Sequence, residues 1–427
     1  MRRKYVLGLF IWFLATLFYF FEFFLRIFLG TIAQDILHDF NLSPRQFSLL
    51  GSSYYFAFAI MQFPVGLIFD RFGIRFPMTI AIFLCVLGTL GFSISHTFIE
   101  AFISRFFMGL GSAFAFVALI VLAYNWFPKK HLGFMAGLAQ LLGAIGPLFA
   151  GAPLVFILQK MNNDWRLFLQ ITSYCGLFLT ILFGFFLRDK PEKQKKHLVL
   201  LENQQKLSHK LFSLLKKSQV WFIALFSGIT YVCLPLLGAY WGTLYMQARG
   251  FSLASSSFSV SMMWIGLALG SPLFGKFSDL IKQRKSILFL CAFIGLVSSS
   301  TLLILPKLPI LIFSILFFLI GVAGSGQSLA FATIAEIVPK KMRATALAIN
   351  NTSITIFGGL LPPITGILIN ISMAKSSTHL LVESNYIPAL FMIPVLFSLG
   401  CIISLFLIKE TYIKEHGELV MTAENKK

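Results

Sequence analysis

The stretch GLIFDRFGIR, at Gly66–Arg75, is a short charged segment between two long apolar runs. A related stretch, GKFSDLIKQR, lies at Gly275–Arg284, again between two apolar runs. A second pair, FPKKHLGFMAGL from Phe127 and VPKKMRATALAI from Val338, repeats at nearly the same offset. Two unrelated stretches that share an offset indicate that the chain contains two copies of one structural unit.

The apolar runs indicate that this unit is a bundle of membrane-spanning helices. Hydrophobic residues make up 57% of the chain and charged residues 12%, whereas a soluble domain has roughly 25% charged residues. A run of about 20 apolar residues is long enough to cross a bilayer as a helix. Such runs lie at approximately 5–33, 47–69, 76–94, 98–124, 133–158, 166–187, 220–246, 256–278, 286–305, 309–337, 344–371 and 386–408. We therefore predict an all-α membrane protein of twelve transmembrane helices, arranged as two pseudo-symmetric six-helix bundles.

The polar segments predict the domain organisation and the topology. We expect an N-terminal bundle at 1–188, a basic linker at 189–219, a C-terminal bundle at 220–410 and a tail at 411–427. Most of the 35 Lys and Arg residues lie at the termini, in the linker and in the loops on the same side. The loops on the other side hold only Arg45, Lys160, Arg166, Arg249, Lys307 and Lys375. The positive-inside rule therefore predicts that both termini are cytoplasmic, and it explains the net charge of +19 without a nucleic-acid partner.

The charged segments resemble motifs of the major facilitator superfamily. GLIFDRFGIR matches the pattern G-x-x-x-D-R-x-G-x-R at Gly66, Asp70, Arg71, Gly73 and Arg75. The second copy keeps Gly275, Asp279 and Arg284, but it has Lys282 in place of the second glycine. RFFMGLGSA is similar to the helix-four motif, with Arg105, Gly109 and Gly111. Glu336 and Arg343 have the Glu-x6-Arg spacing found after helix ten in several branches. The resemblance covers nearly the whole chain.

Within this superfamily, residues 18–75 look most like two related branches. One is the anion:cation symporter group, which handles organic anions, and the other is the phagosomal transporter group of intracellular bacteria, which takes up amino acids or nucleosides. The resemblance implies a monomeric transporter of a small molecule in the lipid bilayer of a bacterial inner membrane. It implies no enzyme activity, and the chain has no Walker-type phosphate-binding sequence.

The repeated motifs predict a gate at the cytoplasmic ends of the helices. We expect Gly66 to permit a close helix approach and Asp70 to accept hydrogen bonds from a neighbouring helix N-terminus. Ion pairs that form in one state and break in another would complete the gate. The predicted members are Gly66, Asp70, Arg71, Arg75, Asp279, Glu336 and Arg343. The alternative is that the charges among them only set the topology.

The first apolar run contains the stretch YFFEFFLR, in which Tyr19, Glu22 and Arg26 lie on one helical face. Charges within a span must face the interior of the bundle, because hydrocarbon does not solvate them. Glu22 and Arg26 either satisfy each other one turn apart or line a central cavity. We favour the cavity. Arg105 on the fourth span would then give this half two positive charges against one negative charge, which suits a carboxylate or phosphate.

The remaining site predictions concern polar and aromatic residues on other spans. The predicted substrate-binding set is Tyr19, Glu22, Arg26, Tyr55, Arg105, Trp241, Gln327 and Asn351. Glu22 is the predicted coupling residue for a proton, with sodium as an alternative, and no metal site or cofactor is expected. The predicted function is uptake of a small carboxylate-bearing solute, an amino acid or an organic anion. Drug or metabolite efflux and solute sensing are the alternatives, and efflux predicts tolerance to the loss of Arg26.

Overall fold

The computed structural model describes residues 2–62, 64–127, 132–187, 214, 216–305, 309–339, 342–375 and 381–412. Within these ranges all regular secondary structure is helical. Ten helices are long and apolar enough to cross a membrane, or eleven if one bent pair is counted as a single span. The described residues therefore form an all-α, multi-pass membrane protein, as predicted.

The N-terminal half consists of ten α-helices and one short 3-10 turn. The helices are α1 (Arg2–Ile27), α2 (Ala33–Asp39), α3 (Pro44–Met61), α4 (Pro64–Phe72), α5 (Arg75–Ile94), α6 (Phe98–Ser112), α7 (Phe114–Trp126), α8 (Leu132–Phe149), α9 (Ala152–Lys160) and α10 (Trp165–Phe186). The 3-10 turn, Phe28–Gly30, directly follows α1. The predicted second span falls on α3 and α4, which are separated by Phe63, outside the described residues.

The C-terminal half also consists of long helices with local breaks. They are α11 (Ser218–Tyr231), α12 (Cys233–Pro235), α13 (Gly242–Ala248), α14 (Leu253–Ile281), α15 (Lys285–Ile304), α16 (Ile310–Gly324), α17 (Gly326–Glu336), α18 (Arg343–Ala374), α19 (Glu383–Leu390) and α20 (Met392–Ile402). A π-helical segment, Leu236–Trp241, joins α12 to α13 and keeps this span continuous. A second π-helical segment, Ile403–Leu407, extends α20.

Local sequence explains where several helices begin and bend. Ser43 forms a capping box with Gln46 at the start of α3, and Thr97 forms one with Glu100 at the start of α6. The fifth span contains Pro147 and bends by 42° between Leu141–Phe149 and Ala152–Lys160. Proline removes a helical hydrogen bond, so a bend here is expected.

The two halves pack against each other along three pairs of spans. α3 packs along α18, α8 and α9 pack against α14, and the 3-10 turn after α1 packs against the π-helical segment. The last contact is very close, because a methyl group on Gly30 would lie 2.5 Å from the carbonyl oxygen of Gly238. We call the end of the bundle where α1 begins the predicted cytoplasmic face and the other end the predicted outer face. The contact at Gly30 closes the interface near the predicted outer face.

A polar contact reinforces this closure. Gln247 donates from Nε2 to Oε1 of Gln34 at 3.1 Å, which joins α13 to α2. Within the C-terminal half, Trp241 donates from Nε1 to the Thr365 hydroxyl at 2.9 Å. The domain boundaries stay a prediction, and most of the predicted linker and of the tail lies outside the described residues.

Candidate functional site

The two charged residues of α1 form an ion pair inside the protein. Arg26 donates from Nη2 to Oε1 of Glu22, one helical turn away. The Glu22 side chain is 1% exposed, whereas the Arg26 side chain keeps 10% of its surface exposed. The pair predicted as the alternative to a cavity is therefore formed in this conformation.

The pair leaves hydrogen-bonding capacity unused. Oε2 of Glu22 and Nε of Arg26 are buried and have no hydrogen-bond partner among the residues that the structure describes. Buried polar groups are usually satisfied, so unsatisfied ones at a charged centre make it a candidate place for a ligand or water. The mutual pairing thus leaves one polar atom of each side chain unsatisfied within the described residues.

Aromatic rings surround the Arg26 guanidinium. Its central carbon lies 4.5 Å from the centroid of the Phe23 ring and 4.7 Å from that of Phe58. Ring faces attract cations, so these rings hold the guanidinium without occupying its hydrogen-bond donors. Phe23 also packs against Trp264 of α14, with ring centroids 6.4 Å apart. Tyr231 of α11 interacts with Arg26 as well. The charged pair therefore faces the interface between the two halves.

Tyr54 of α3 connects the charged residues, and the sequence analysis did not identify it. Its hydroxyl donates to Oε1 of Glu22 at 3.3 Å. Its ring centroid lies 5.9 Å from the Arg26 guanidinium carbon and 4.9 Å from that of Arg105. The sequence offers the adjacent tyrosines Tyr54 and Tyr55, and α3 turns Tyr54 toward Glu22.

Arg105 has a structural contact with α1. The residue is 1% exposed, and its Nη1 donates to the main-chain carbonyl of Leu25 at 2.6 Å. Leu25 lies in the last turn of α1, where carbonyls lack helical partners and a positive charge is favourable. No carboxylate among the described residues pairs with Arg105. The predicted excess of one positive charge is therefore present, with Arg105 placed at the end of α1.

The other predicted substrate-binding residues lie on several helices. The Tyr19 ring packs against Phe23 and Phe116, with centroids 4.9 and 5.6 Å away. The Tyr55 hydroxyl is buried and has no hydrogen-bond partner within the described part of the chain. Gln327 is half-buried. Asn351 donates to Gln62 and so links α18 to α3.

Trp241 belongs to the outer closure. Besides its bond to Thr365, it packs against Phe47 and Tyr386, with ring centroids 5.4 and 6.1 Å away. These contacts tie α3, α18 and α19 together near the predicted outer face. The sequence could not distinguish a role of Trp241 in closure from one in substrate contact, because a buried aromatic residue on the seventh span is compatible with either role.

The second copy of the charged motif forms a closed cluster around Arg284. Its Nη1 donates to Asp279 at 2.7 Å and its Nη2 donates to Glu336 at 2.8 Å. Glu336 also accepts a hydrogen bond from the Thr411 hydroxyl at 2.9 Å. Arg343, predicted to contribute an ion pair, forms none among the described residues, and its Nε is buried without a partner. Arg284 is the centre of this cluster, although the predicted gate did not include it.

The first copy differs at Gly66. Among the residues that the structure describes, no neighbouring atom lies within 4 Å of where a Cβ of Gly66 would be, so the close helix approach predicted there is not seen in this part of the chain. Arg75 donates from Nε to the Gly184 carbonyl at 3.1 Å, within its own half. Arg71 lies 5.2 Å from the ring of its neighbour Phe72. The side chain of Asp70 lies outside the described residues. Whether the two copies act as a gate stays a prediction.

The structure has two helical halves and an intramembrane charged pair that faces the interface between them. This arrangement is typical of membrane carriers. The sequence matches the profile of the Major Facilitator Superfamily over residues 11–326 and 243–423. The chain belongs to this family.

Several relatives are named as transporters. The chain is 29% identical over 274 residues to the uncharacterized transporter YybO of Bacillus subtilis, an alignment that covers 58% of this chain and 61% of the relative. It is 26% identical over 271 residues to the hexuronate transporter of the same organism, covering 61% and 63%. It is 24% identical over 316 residues to the probable sulfoacetate transporter SauU of Cupriavidus necator, covering 70% of each. The alignments thus span less than two thirds of the first two relatives.

Solved structures share the fold at low sequence identity. A bacterial homologue of the human lysosomal transporter Spinster, in an inward-facing and unoccupied conformation, has a TM-score of 0.74 to this chain. The identity is 16%, and the comparison covers 93% of this chain and 95% of the other. This similarity shows the transporter fold.

Proposed function

We propose that this protein imports a small organic anion across the bacterial inner membrane by alternating access, and that proton uptake by Glu22 is coupled to import. The observation that carries the proposal is the buried Glu22–Arg26 pair between the halves, with one unsatisfied polar atom on each partner. The hexuronate and sulfoacetate transporters among the relatives support an anionic substrate.

The local charge favours an anion. Two guanidinium groups, of Arg26 and Arg105, stand against the single carboxylate of Glu22. In a low-dielectric interior an unbalanced charge is costly, and an incoming carboxylate removes the imbalance. Arg26 is the contact residue because its side chain is more exposed than Glu22 and its Nε is free to donate. A guanidinium binds a carboxylate through two parallel bonds.

The same geometry couples binding to a proton. A carboxylate that binds Arg26 competes with Glu22 for the guanidinium. Once displaced, Glu22 would be a buried carboxylate without a counter-ion, a state that proton uptake relieves. Protonation of Glu22 and substrate binding therefore favour each other.

A zwitterionic amino acid is the second candidate substrate. The unpartnered Oε2 of Glu22 could accept a hydrogen bond from an ammonium group while Arg26 holds the carboxylate. In this case Glu22 contacts substrate, so replacing it removes binding. For an organic anion, the Glu22→Gln variant still binds substrate but loses the dependence on a proton gradient.

Purified protein in proteoliposomes with an imposed inward proton gradient tests these proposals. We expect accumulation of a labelled hexuronate, sulfoacetate or amino acid, and we expect Arg26→Ala to reduce it at least 100-fold, about 3 kcal/mol of lost binding. Arg45→Ala, on the exposed start of α3, is the control and should transport normally.

Three outcomes would contradict the proposal. If Arg26→Ala takes up anions at the wild-type rate, Arg26 does not bind the substrate. Transport of apolar cations by both the wild type and Arg26→Ala would favour drug efflux. Binding of solute without accumulation in any liposome would favour a sensor.

A further inference from the structure

Tyr54 lies close to all three charged residues of the site, Glu22, Arg26 and Arg105. Besides the bond to Oε1 of Glu22, its hydroxyl lies 3.4 Å from the main-chain carbonyl of Glu22. Its ring centroid lies close to the guanidinium carbons of both Arg26 and Arg105, at 5.9 and 4.9 Å. Among the hydrogen bonds of the described residues, those to the Glu22 carboxylate come from Arg26 and Tyr54.

The packing of α3 holds Tyr54 in this position. The residue is fully buried. Gly109 of α6 lies directly against its backbone, where any side chain would collide with the Tyr54 carbonyl oxygen. The ring also stacks on Phe58, one turn further along α3, with centroids 6.2 Å apart. The hydroxyl is therefore aimed by helix packing and does not depend on the bond it makes to Glu22.

A donor held in this way favours one protonation state of its partner. A hydroxyl that donates to a carboxylate stabilises the ionised form relative to the protonated form. The titratable or charged side chains around Glu22 are Tyr19 and Arg26 of α1, Tyr54 of α3, Cys85 of α5 and Tyr231 of α11. Arg26 leaves when an anion binds it, in the mechanism above, whereas Tyr54 stays.

We infer that Tyr54 is a positioning residue that holds Glu22 ionised until substrate arrives and so sets the pH range of coupled transport. This inference rests on the proposed proton coupling. Loss of the hydroxyl makes Glu22 easier to protonate. The pH range in which Glu22 takes up a proton then moves upward. The bond, at 3.3 Å, is longer than the usual O–H···O separation of about 2.8 Å, so we expect a shift of about half a pH unit.

Infrared difference spectroscopy of the purified full-length protein tests the inference without knowledge of the substrate. The band of the protonated Glu22 carboxyl is identified by its loss in Glu22→Gln, and its midpoint is then titrated in Tyr54→Phe. We expect the midpoint of Tyr54→Phe to lie about half a pH unit above that of the wild type. The control is Tyr245→Phe, which loses a hydroxyl bond of equal length, 3.3 Å, to the Leu302 carbonyl, and whose midpoint should not move.

Transport gives a second readout. In proteoliposomes the alkaline limit of uptake of whichever labelled anion accumulates should move upward in Tyr54→Phe and stay in place in Tyr245→Phe. A Tyr54→Phe midpoint equal to or below that of the wild type overturns the inference while Glu22→Gln still shows the coupling. If Glu22→Gln keeps the wild-type pH dependence of uptake, the proposed coupling fails and the role of Tyr54 fails with it. The Glu22→Gln result thus separates the two failures.

Discussion

At the scale of single residues, the Glu22–Arg26 pair has a structural role and a proposed functional one. Each charge is tolerated inside the protein because the other is one turn away. In the proposed mechanism the anion binds at this pair, where each side chain has a polar atom without a partner among the described residues. Binding would then break a contact that stabilises the protein, and this would couple binding to a conformational change.

This arrangement predicts an asymmetry between single and double substitutions. Arg26→Met leaves Glu22 buried without its counter-ion, and breaking one side of a buried pair costs about 3 to 5 kcal/mol. In Glu22→Leu/Arg26→Met both charges are gone, so most of the lost stability should return. Thermal unfolding of the detergent-solubilised proteins measures the difference.

The transport rate should not recover with the thermal stability in Arg26→Met and Glu22→Leu/Arg26→Met. Both variants should be inactive in proteoliposomes, since both lack the guanidinium. A double variant that unfolds at the same temperature as Arg26→Met would show that the pair does not limit stability at this position.

At the scale of elements, the short segment 410–412, which follows the last described helix, stabilises the C-terminal half. Glu410 accepts hydrogen bonds from the main-chain nitrogens of Arg284 and Lys285, at 2.8 and 3.1 Å. These groups open α15, where free N–H groups and the helix dipole favour a carboxylate. Tyr412 adds a ring 5.0 Å from the Arg284 guanidinium carbon. The segment 410–412 therefore caps α15 and covers the Arg284 cluster.

Removing the Glu410 carboxylate tests this role. We expect Glu410→Ala to lower the stability of the protein by about 1 to 2 kcal/mol, because the first turn of α15 loses its cap. Glu410→Gln keeps an acceptor oxygen but loses the charge, so its loss should be smaller. Thermal unfolding in detergent compares the two variants, and equal losses would show that charge alone matters.

At the scale of the whole molecule, the halves contact each other at several levels of the interface. Near the predicted outer face, Gly30 packs against Gly238, and Gln34 is bonded to Gln247. Toward the predicted cytoplasmic face, Asn351 of α18 donates to Gln62 of α3. Alternating access requires that contacts at one end open while those at the other close.

A reversible crosslink tests whether the outer contact must open during transport. Gln34→Cys/Gln247→Cys, made with the exposed Cys175 replaced by Ser, places one thiol on each side of this contact. Cysteine is shorter than glutamine, so a bifunctional methanethiosulfonate reagent, which bridges two thiols through disulfide bonds, is used to join them. We expect the reagent to abolish uptake and a reductant to restore it. The two single-cysteine proteins are the controls and should be insensitive to the reagent. Unchanged uptake by the crosslinked protein would show that the halves do not separate there.

The architecture follows from local properties of the sequence. A run of apolar residues must form a helix in a bilayer, because hydrocarbon offers no partner for the backbone. The all-α fold and the family could therefore be predicted from the chain alone, as could the burial of Glu22 and Arg26. The spacing of these two residues also predicted that they could pair.

The partners of the charged residues could not be predicted, because they depend on how helices distant in sequence pack. Tyr54 meets Glu22 because α3, which packs along α6, directs one of two adjacent buried tyrosines toward α1. Arg284 gathers Asp279, Glu336 and Thr411 from separate elements, whereas Arg343 pairs with no carboxylate among the described residues. Helix formation is a property of each segment, but the pairing of buried charges is decided by the tertiary structure.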